Sequence, residues 1–195
     1  MNDRTAEIRR ETRETRVACR LALDGTGEAQ VSTGLGFLDH LFATLARHAR
    51  FDLELRCNGD REVDDHHTAE DCALAVGAAL DRALGERRGV ARFGAAHAPL
   101  DEALARAVVD LSGRPFAQVD LGLRRERLGA LAAENVAHVA RSLAIAARAT
   151  LHLDVLRGEN DHHRAEAAIK ALALALRQAA ARDGGVEVPS TKGVL

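Results

Sequence analysis

Cysteine is scarce in this chain of 195 residues, with only Cys19, Cys57 and Cys72. An odd number with no C-x-x-C pair argues against a disulfide framework or a thiolate zinc site and fits a reducing, cytoplasmic setting. Cys19 and Cys72 lie in apolar runs and read as small core residues. Lysine is scarcer still: Lys170 and Lys192 are the only two among 27 basic side chains. With so much alanine, that bias reflects genome composition more than function. Long apolar runs are missing, since the stretch 171–176 falls far short of the roughly 20 residues that cross a bilayer. Residues 1–16 are dense in Arg, Glu and Thr and carry no secretory signal pattern. Strong net charge is missing too. The 29 acidic and 27 basic residues leave −2, which excludes a field drawing the whole molecule to nucleic acid or an anionic membrane.

What remains is an ordinary globular composition, 47% apolar and 29% charged, long enough to bury a substantial core. Periodicity along it gives one order of elements twice. Residues 16–23 and 28–33 read as strands around the hairpin turn Asp24-Gly25-Thr26-Gly27. Apolar residues at Phe37, Leu38, Leu41, Phe42 and Leu45 predict a helix over 37–49. A strand over 52–57 and a helix over 66–84, ended near Gly85, complete the first half. In the second half, 105–111 and 116–123 read as strands around Ser112-Gly113-Arg114-Pro115. A helix over 131–149, a strand over 150–156 and a helix over 162–180 follow, and 85–100 reads as the join. The expectation is an α+β fold, an internal duplication of a ββαβα unit. Its halves, 1–88 and 89–195, form one compact unit of two sheets with helices packed between them.

The duplication is visible in letters. Asp65-His66-His67-Thr68-Ala69-Glu70 returns as Asp161-His162-His163-Arg164-Ala165-Glu166, offset by 161 − 65 = 96 residues. Both segments have the form H-H-x-x-E. On a helix, a glutamate three or four residues beyond a histidine can share an ion with it. Adjacent histidines, however, point about 100° apart and do not comfortably chelate one metal together. Each pair therefore suggests two ions, one imidazole going to each. His40, 66 − 40 = 26 residues before the first pair, and His138, 162 − 138 = 24 before the second, are duplicated partners. The tally is three imidazoles and one carboxylate for each of two metals, with positions left open for substrate or water. His48, His97 and His152 read as structural. Imidazole and carboxylate without thiolate suit Mn, Fe, Co, Ni or Zn.

Several segments together are similar to the imidazoleglycerol-phosphate dehydratase family: 10–15 (RETRET), 34–40 (GLGFLDH), 64–71 (DDHHTAED), 99–104 (PLDEAL), 110–115 (DLSGRP), 160–166 (NDHHRAE) and 189–195 (PSTKGVL). The resemblance implies a metal-dependent hydro-lyase of histidine biosynthesis that removes water from imidazole glycerol phosphate to give imidazole acetol phosphate. It implies two manganese ions per active site, one on His66, His138, His162 and Glu166, the other on His40, His67, His163 and Glu70. It makes Glu14 the acid/base residue and Arg92, Arg114, Lys170, Ser190 and Lys192 the substrate and phosphate ligands. Arg presents a fork to phosphate oxygens, Lys a point charge, and Ser a hydroxyl donor. It further implies a homo-oligomer of twenty-four subunits with shared active sites. Thr44 departs from the family, standing where an amide that would face substrate is usual. From the ligands alone, a dimetal hydrolase of a small phosphorylated metabolite or a metal-storing shell stay open, although the Ser190-Thr191-Lys192 tail and Arg114 argue against storage.

Overall fold

The computed structural model describes residues 4–193 and 195. Residues 1–3 and 194, which belong to the expected halves and to the tail motif, lie outside the described residues. β1 (Thr5–Glu11) and β2 (Thr15–Ala22) pair antiparallel. β2 buries Thr15, Val17, Cys19 and Leu21 and turns Arg16, Ala18 and Arg20 outward, the alternation of a sheet with one face on the core. β3 (Ala29–Ser32) is followed by α1 (Gly36–Ala49), β4 (Asp52–Gly59) and α2 (His66–Leu84). The sheet order is β1-β2-β4-β3, with β3 parallel to β4. A parallel pair needs a crossover, and α1 supplies it.

The second half repeats this. β5 (Phe93–Leu100), β6 (Ala103–Asp110), β7 (Phe116–Asp120), α3 (Ala133–Ala146), β10 (Thr150–Arg157) and α4 (Asp161–Ala179) form a sheet of order β5-β6-β10-β7 with its two helices. A short hairpin, β8 (Arg127–Leu128) and β9 (Leu131–Ala132), precedes α3. Each half is therefore βββαβα, one strand longer than expected. The extra strands, β1 and β5, are edge strands. β1 fully buries only Ala6, so its apolar alternation is too weak to read beside its arginines and glutamates.

Neither expected hairpin forms, because β4 inserts between β2 and β3, and β10 between β6 and β7. The loop at Asp24-Gly25-Thr26-Gly27 is instead pinned to the start of β4. Asp52 Oδ1 accepts the main-chain N–H groups of Thr26, Gly27 and Glu28 at 2.8, 3.0 and 3.0 Å.

The four helices lie between the two sheets, α2 against α3 and α1 against α4, so every helix–helix contact of this kind joins one half to the other. Small residues make that approach close. A Cβ on Gly77 of α2 would lie 2.4 Å from the Leu143 carbonyl oxygen of α3; within the second half, one on Gly94 of β5 would lie 1.9 Å from the Ala175 carbonyl oxygen of α4, so that sheet and helix also approach closely. Cys19 and Cys72 are buried, as expected, and all three cysteines are free. Among the described residues no helix is long and apolar enough to cross a membrane.

Candidate metal centres

The first turns of α2 and α4 are built alike. The main-chain N–H of His66 donates to Asp64 Oδ1 at 2.8 Å, from just ahead of the N-cap Asp65, and that of His162 to Asn160 Oδ1 of the N-cap itself at 2.9 Å, each satisfying an otherwise unpaired helix donor. The next residues, Asp65 and Asp161, are buried acceptors. Asp65 Oδ2 receives the Ala132 N–H at 2.6 Å and Asn135 Nδ2 at 2.9 Å. Asp161 Oδ2 receives the N–H groups of Arg124 and Arg125 at 2.7 and 2.6 Å. Burial disfavours both charges, yet these donors outweigh it and hold both carboxyls below the usual carboxylate range. Both helix starts are thus fixed to the opposite wall before any histidine is considered.

On these starts the ligands converge in two groups. In the first, His40 Nε2 of α1 lies 3.1 Å and His162 Nε2 of α4 3.2 Å from Glu166 Oε2. In the second, His138 Nε2 of α3 lies 3.0 Å from Glu70 Oε1 of α2, and the His66 and His138 rings are 4.7 Å apart between centroids. In each group of three, one ligand atom per residue falls within 4.8 Å of the others. Asn135 accepts from His66 Nδ1 at 3.1 Å while donating to Asp65, which leaves His66 Nε2 as the free donor atom. Lys170 Nζ lies 2.8 Å from Glu166 Oε1. Burial opposes the Glu166 charge, but Lys170 and His40 prevail and hold the carboxyl at about 2.

These are the neighbours within one chain, whereas the expected sets were for active sites shared between subunits. Within the chain Glu166 joins His40, not His66 and His138, and Glu70 joins His138. Because α1 packs on α4 and α2 on α3, each α1 or α3 histidine meets the glutamate of the other half. His67 and His163 join neither group, since helix geometry turns each about 100° from its neighbour. His67 Nδ1 instead lies 3.0 Å from Asp60 Oδ2, and His163 Nδ1 2.7 Å from Glu102 Oε2. Each of these carboxylates raises the pKa of its histidine. Glu102 is held at about 2, chiefly by the Asn160 N–H and then by His163 and the Glu159 N–H. His48, His97 and His152 belong to neither group.

Glu14 sits exposed in the β1–β2 turn, with Oε1 3.8 Å from His67 Nε2. Lys170 is the expected phosphate ligand that touches a metal group. Arg92 grips Asp110 at 2.7 and 3.1 Å and donates to the Pro189 carbonyl at 2.8 Å, which fastens the tail just before Ser190. Ser190 Oγ accepts the Lys192 N–H at 3.2 Å. Arg114 bonds the Ser112 carbonyl at 3.2 Å in its own turn, and Leu195 lies against Gly113 of that turn. Thr44 is buried on α1 and is not presented at the surface. Sequence reading missed Asp60, Glu102, Asn135, Asp65 and Asp161. The two aspartates were legible, since they repeat at the same offset as the histidines.

Two duplicated clusters of imidazole and carboxylate, on helices that cross between halves, now have solved and sequenced counterparts. A model of the imidazoleglycerol-phosphate dehydratase family matches residues 33–176. The chain belongs to that family. Its activity is the family's, dehydration of imidazoleglycerol phosphate in histidine biosynthesis. It is 55% identical to the imidazoleglycerol-phosphate dehydratase of Phaffia rhodozyma over 98% of this chain and 96% of that one. It is 58% identical to that of Phytophthora nicotianae over 98% of this chain, but spans 42% of that longer protein. The solved dehydratase of Pyrococcus furiosus superposes with TM-score 0.83 at 35% identity, covering 96% of this chain and all of that one. That of Staphylococcus aureus superposes with TM-score 0.82 at 32% identity, covering 91% and 99%. The dehydratase fold is thus the duplicated α+β unit expected from the sequence.

Proposed function

We propose that the two groups hold two divalent cations, manganese by resemblance to the family, and that the dehydration takes place between them. The observation that carries this is the duplicated donor set. His40, His162 and Glu166 in one group, and His66, Glu70 and His138 in the other, each bring two imidazoles and one carboxylate to a common point, a set suited to borderline first-row metals. Each group takes residues from both halves, so neither 1–88 nor 89–195 holds a complete one. The duplication works as one unit.

When bound, the ions supply positive charge beside the substrate's imidazole and make that ring a better electron sink. The protein's own groups do the rest. Glu14 takes the proton from the glycerol carbon next to the ring-bearing one, hydroxide leaves and is protonated to water, and the resulting enol becomes the ketone. Lys170, Arg92, Arg114, Ser190 and Lys192 hold the phosphate. His67 and His163, outside both groups, complete the centres of neighbouring subunits in a cytoplasmic homo-oligomer of twenty-four copies. Incubating the metal-loaded protein with imidazole glycerol phosphate tests the reading. Ketone without inorganic phosphate supports it, and phosphate release marks a hydrolase instead.

A further inference from the structure

His67 and His163 are the two ligating histidines that stand apart, and each is gripped by a carboxylate on the same ring nitrogen. Asp60 oxygens lie 3.0 and 3.2 Å from His67 Nδ1, and Glu102 Oε2 lies 2.7 Å from His163 Nδ1. An ionised carboxylate only accepts, so Nδ1 carries the proton in both rings and Nε2 presents its lone pair.

Duplication does not account for the match. Asp60 follows β4 and Glu102 lies in the β5–β6 turn. Aligned on the strand ends Gly59 and Arg157, Asp60 corresponds to Gly158, and aligned on the histidine offset it corresponds to Leu156, neither of which carries a carboxylate. The β1–β2 turn corresponds to the β5–β6 turn, but it places Glu14 toward His67 Nε2 at 3.8 Å and not toward Nδ1. Glu102 directly precedes β6 as Glu14 directly precedes β2, so the two turns share a carboxylate position but turn it to different ring nitrogens, and Asp60 has no carboxylate counterpart. Two unrelated elements nevertheless deliver one oxygen to the same nitrogen.

Both carboxylates are also tied down. Glu102 Oε1 accepts the N–H groups of Glu159 and Asn160 at 3.1 and 2.8 Å, leaving Oε2 for His163. The Asp60 N–H donates to the Glu14 carbonyl at 3.1 Å, which fastens Asp60 to the turn that carries Glu14.

We propose that Asp60 and Glu102 are positioning residues that fix the tautomer and aim of His67 and His163, so that each Nε2 is offered to a metal. The inference rests on the metal reading above. A carboxylate behind a ligating histidine sets ring orientation and basicity, and losing it typically costs 10–100-fold in metal affinity.

The test is calorimetric titration of the metal-free protein with Mn2+, comparing Asp60→Ala, Glu102→Ala, Asp60→Asn, Glu102→Gln, His67→Ala and His163→Ala. The alanine variants of the carboxylates are expected to lose roughly 10–100-fold in affinity, Asp60→Ala at an unchanged melting temperature of the metal-free protein and Glu102→Ala at a lowered one, because Glu102 also holds the Glu159 and Asn160 N–H groups. Asp60→Asn, whose oxygen still accepts the Nδ1 proton, is expected to recover most of that loss, whereas Glu102→Gln, whose single oxygen must serve either the backbone N–H groups or His163, is expected to recover only part of it. Should an alanine variant fail to fold, Asp60→Leu or Glu102→Met, which fill the space without an acceptor, takes its place, with a loss of roughly 10–100-fold supporting the proposal and wild-type affinity overturning it. Wild-type affinity in the variants that lack an acceptor while the histidine variants lose metal overturns this inference alone. Wild-type affinity in the histidine variants overturns the metal reading and this inference with it.

Discussion

His40 Nε2 lies 3.1 Å from Glu166 Oε2, although 126 residues separate them in the chain. The contact exists because α1 of the first half packs on α4 of the second. The mirror contact, His138 to Glu70 at 3.0 Å, follows from α2 on α3. The packing between halves and the site are therefore one feature, and disturbing a group from either half has the same consequence.

His40→Ala and Glu166→Gln should each empty one centre and spare the other, so metal per chain falls by about half, since ligand loss acts locally on binding. Elemental analysis after gel filtration reads this directly. Loss of both metals in either variant would instead tie the two centres into one.

Glu14→Gln should retain wild-type metal content and lose about 10²–10⁴-fold in kcat, the usual contribution of a positioned acid or base. Steady-state rates beside elemental analysis check it. A variant with unaltered kcat would remove Glu14 from the chemistry.

Lys192→Ala should keep its metal and raise KM if, as proposed, the lysine holds the phosphate, which is bound equally in ground and transition states. One charged hydrogen bond contributes about 1.5–3 kcal/mol, so a rise of roughly 10–100-fold is expected. A fall in kcat at constant KM would give the tail a different role.

Asp24 is bonded to Arg4 and to Arg182, which ties the first strand to the chain after α4. Arg4 first, against a smaller opposing effect of burial, lowers its carboxyl from 3.8 to about 2. A depressed folded-state pKa gives stability that is present above 3.8 and lost as pH falls through about 2. Asp24→Asn should thus destabilise at neutral pH by at most about 1 kcal/mol, the range for exposed pairs, and by nothing below about pH 2. Urea unfolding at both pH values tests this, and an equal effect at both would assign it to something other than charge.

If ligands are shared between the subunits of a homo-oligomer, as proposed, metal binding is coupled to association, and chelating the metal-loaded protein should dissociate it into smaller units that remain folded. Sedimentation velocity with and without chelator is the measurement. An unchanged particle after verified metal removal would show that other contacts hold the subunits.

The sequence by itself determined the duplication, the helices and the candidate ligands, six of which the structure brings together in two groups. These depend on local periodicity and on rare letters, and His66, His67, Glu70 and their copies keep one register whatever packs around them. It could not determine which strand lies beside which, or which glutamate meets which histidine. Alternation shows that 16–23 and 28–33 are strands, but it is silent about β4 entering between them, since that depends on where α1 returns the chain. Edge strands β1 and β5 bury too little apolar surface to announce themselves. Asp60 and Glu102 are legible only in space, because no spacing relates either to the histidine it holds. The tertiary structure decided the groups for one physical reason: α1 packs on α4 and α2 on α3, the latter closely at Gly77, and that crossing carries each histidine to the other half's carboxylate.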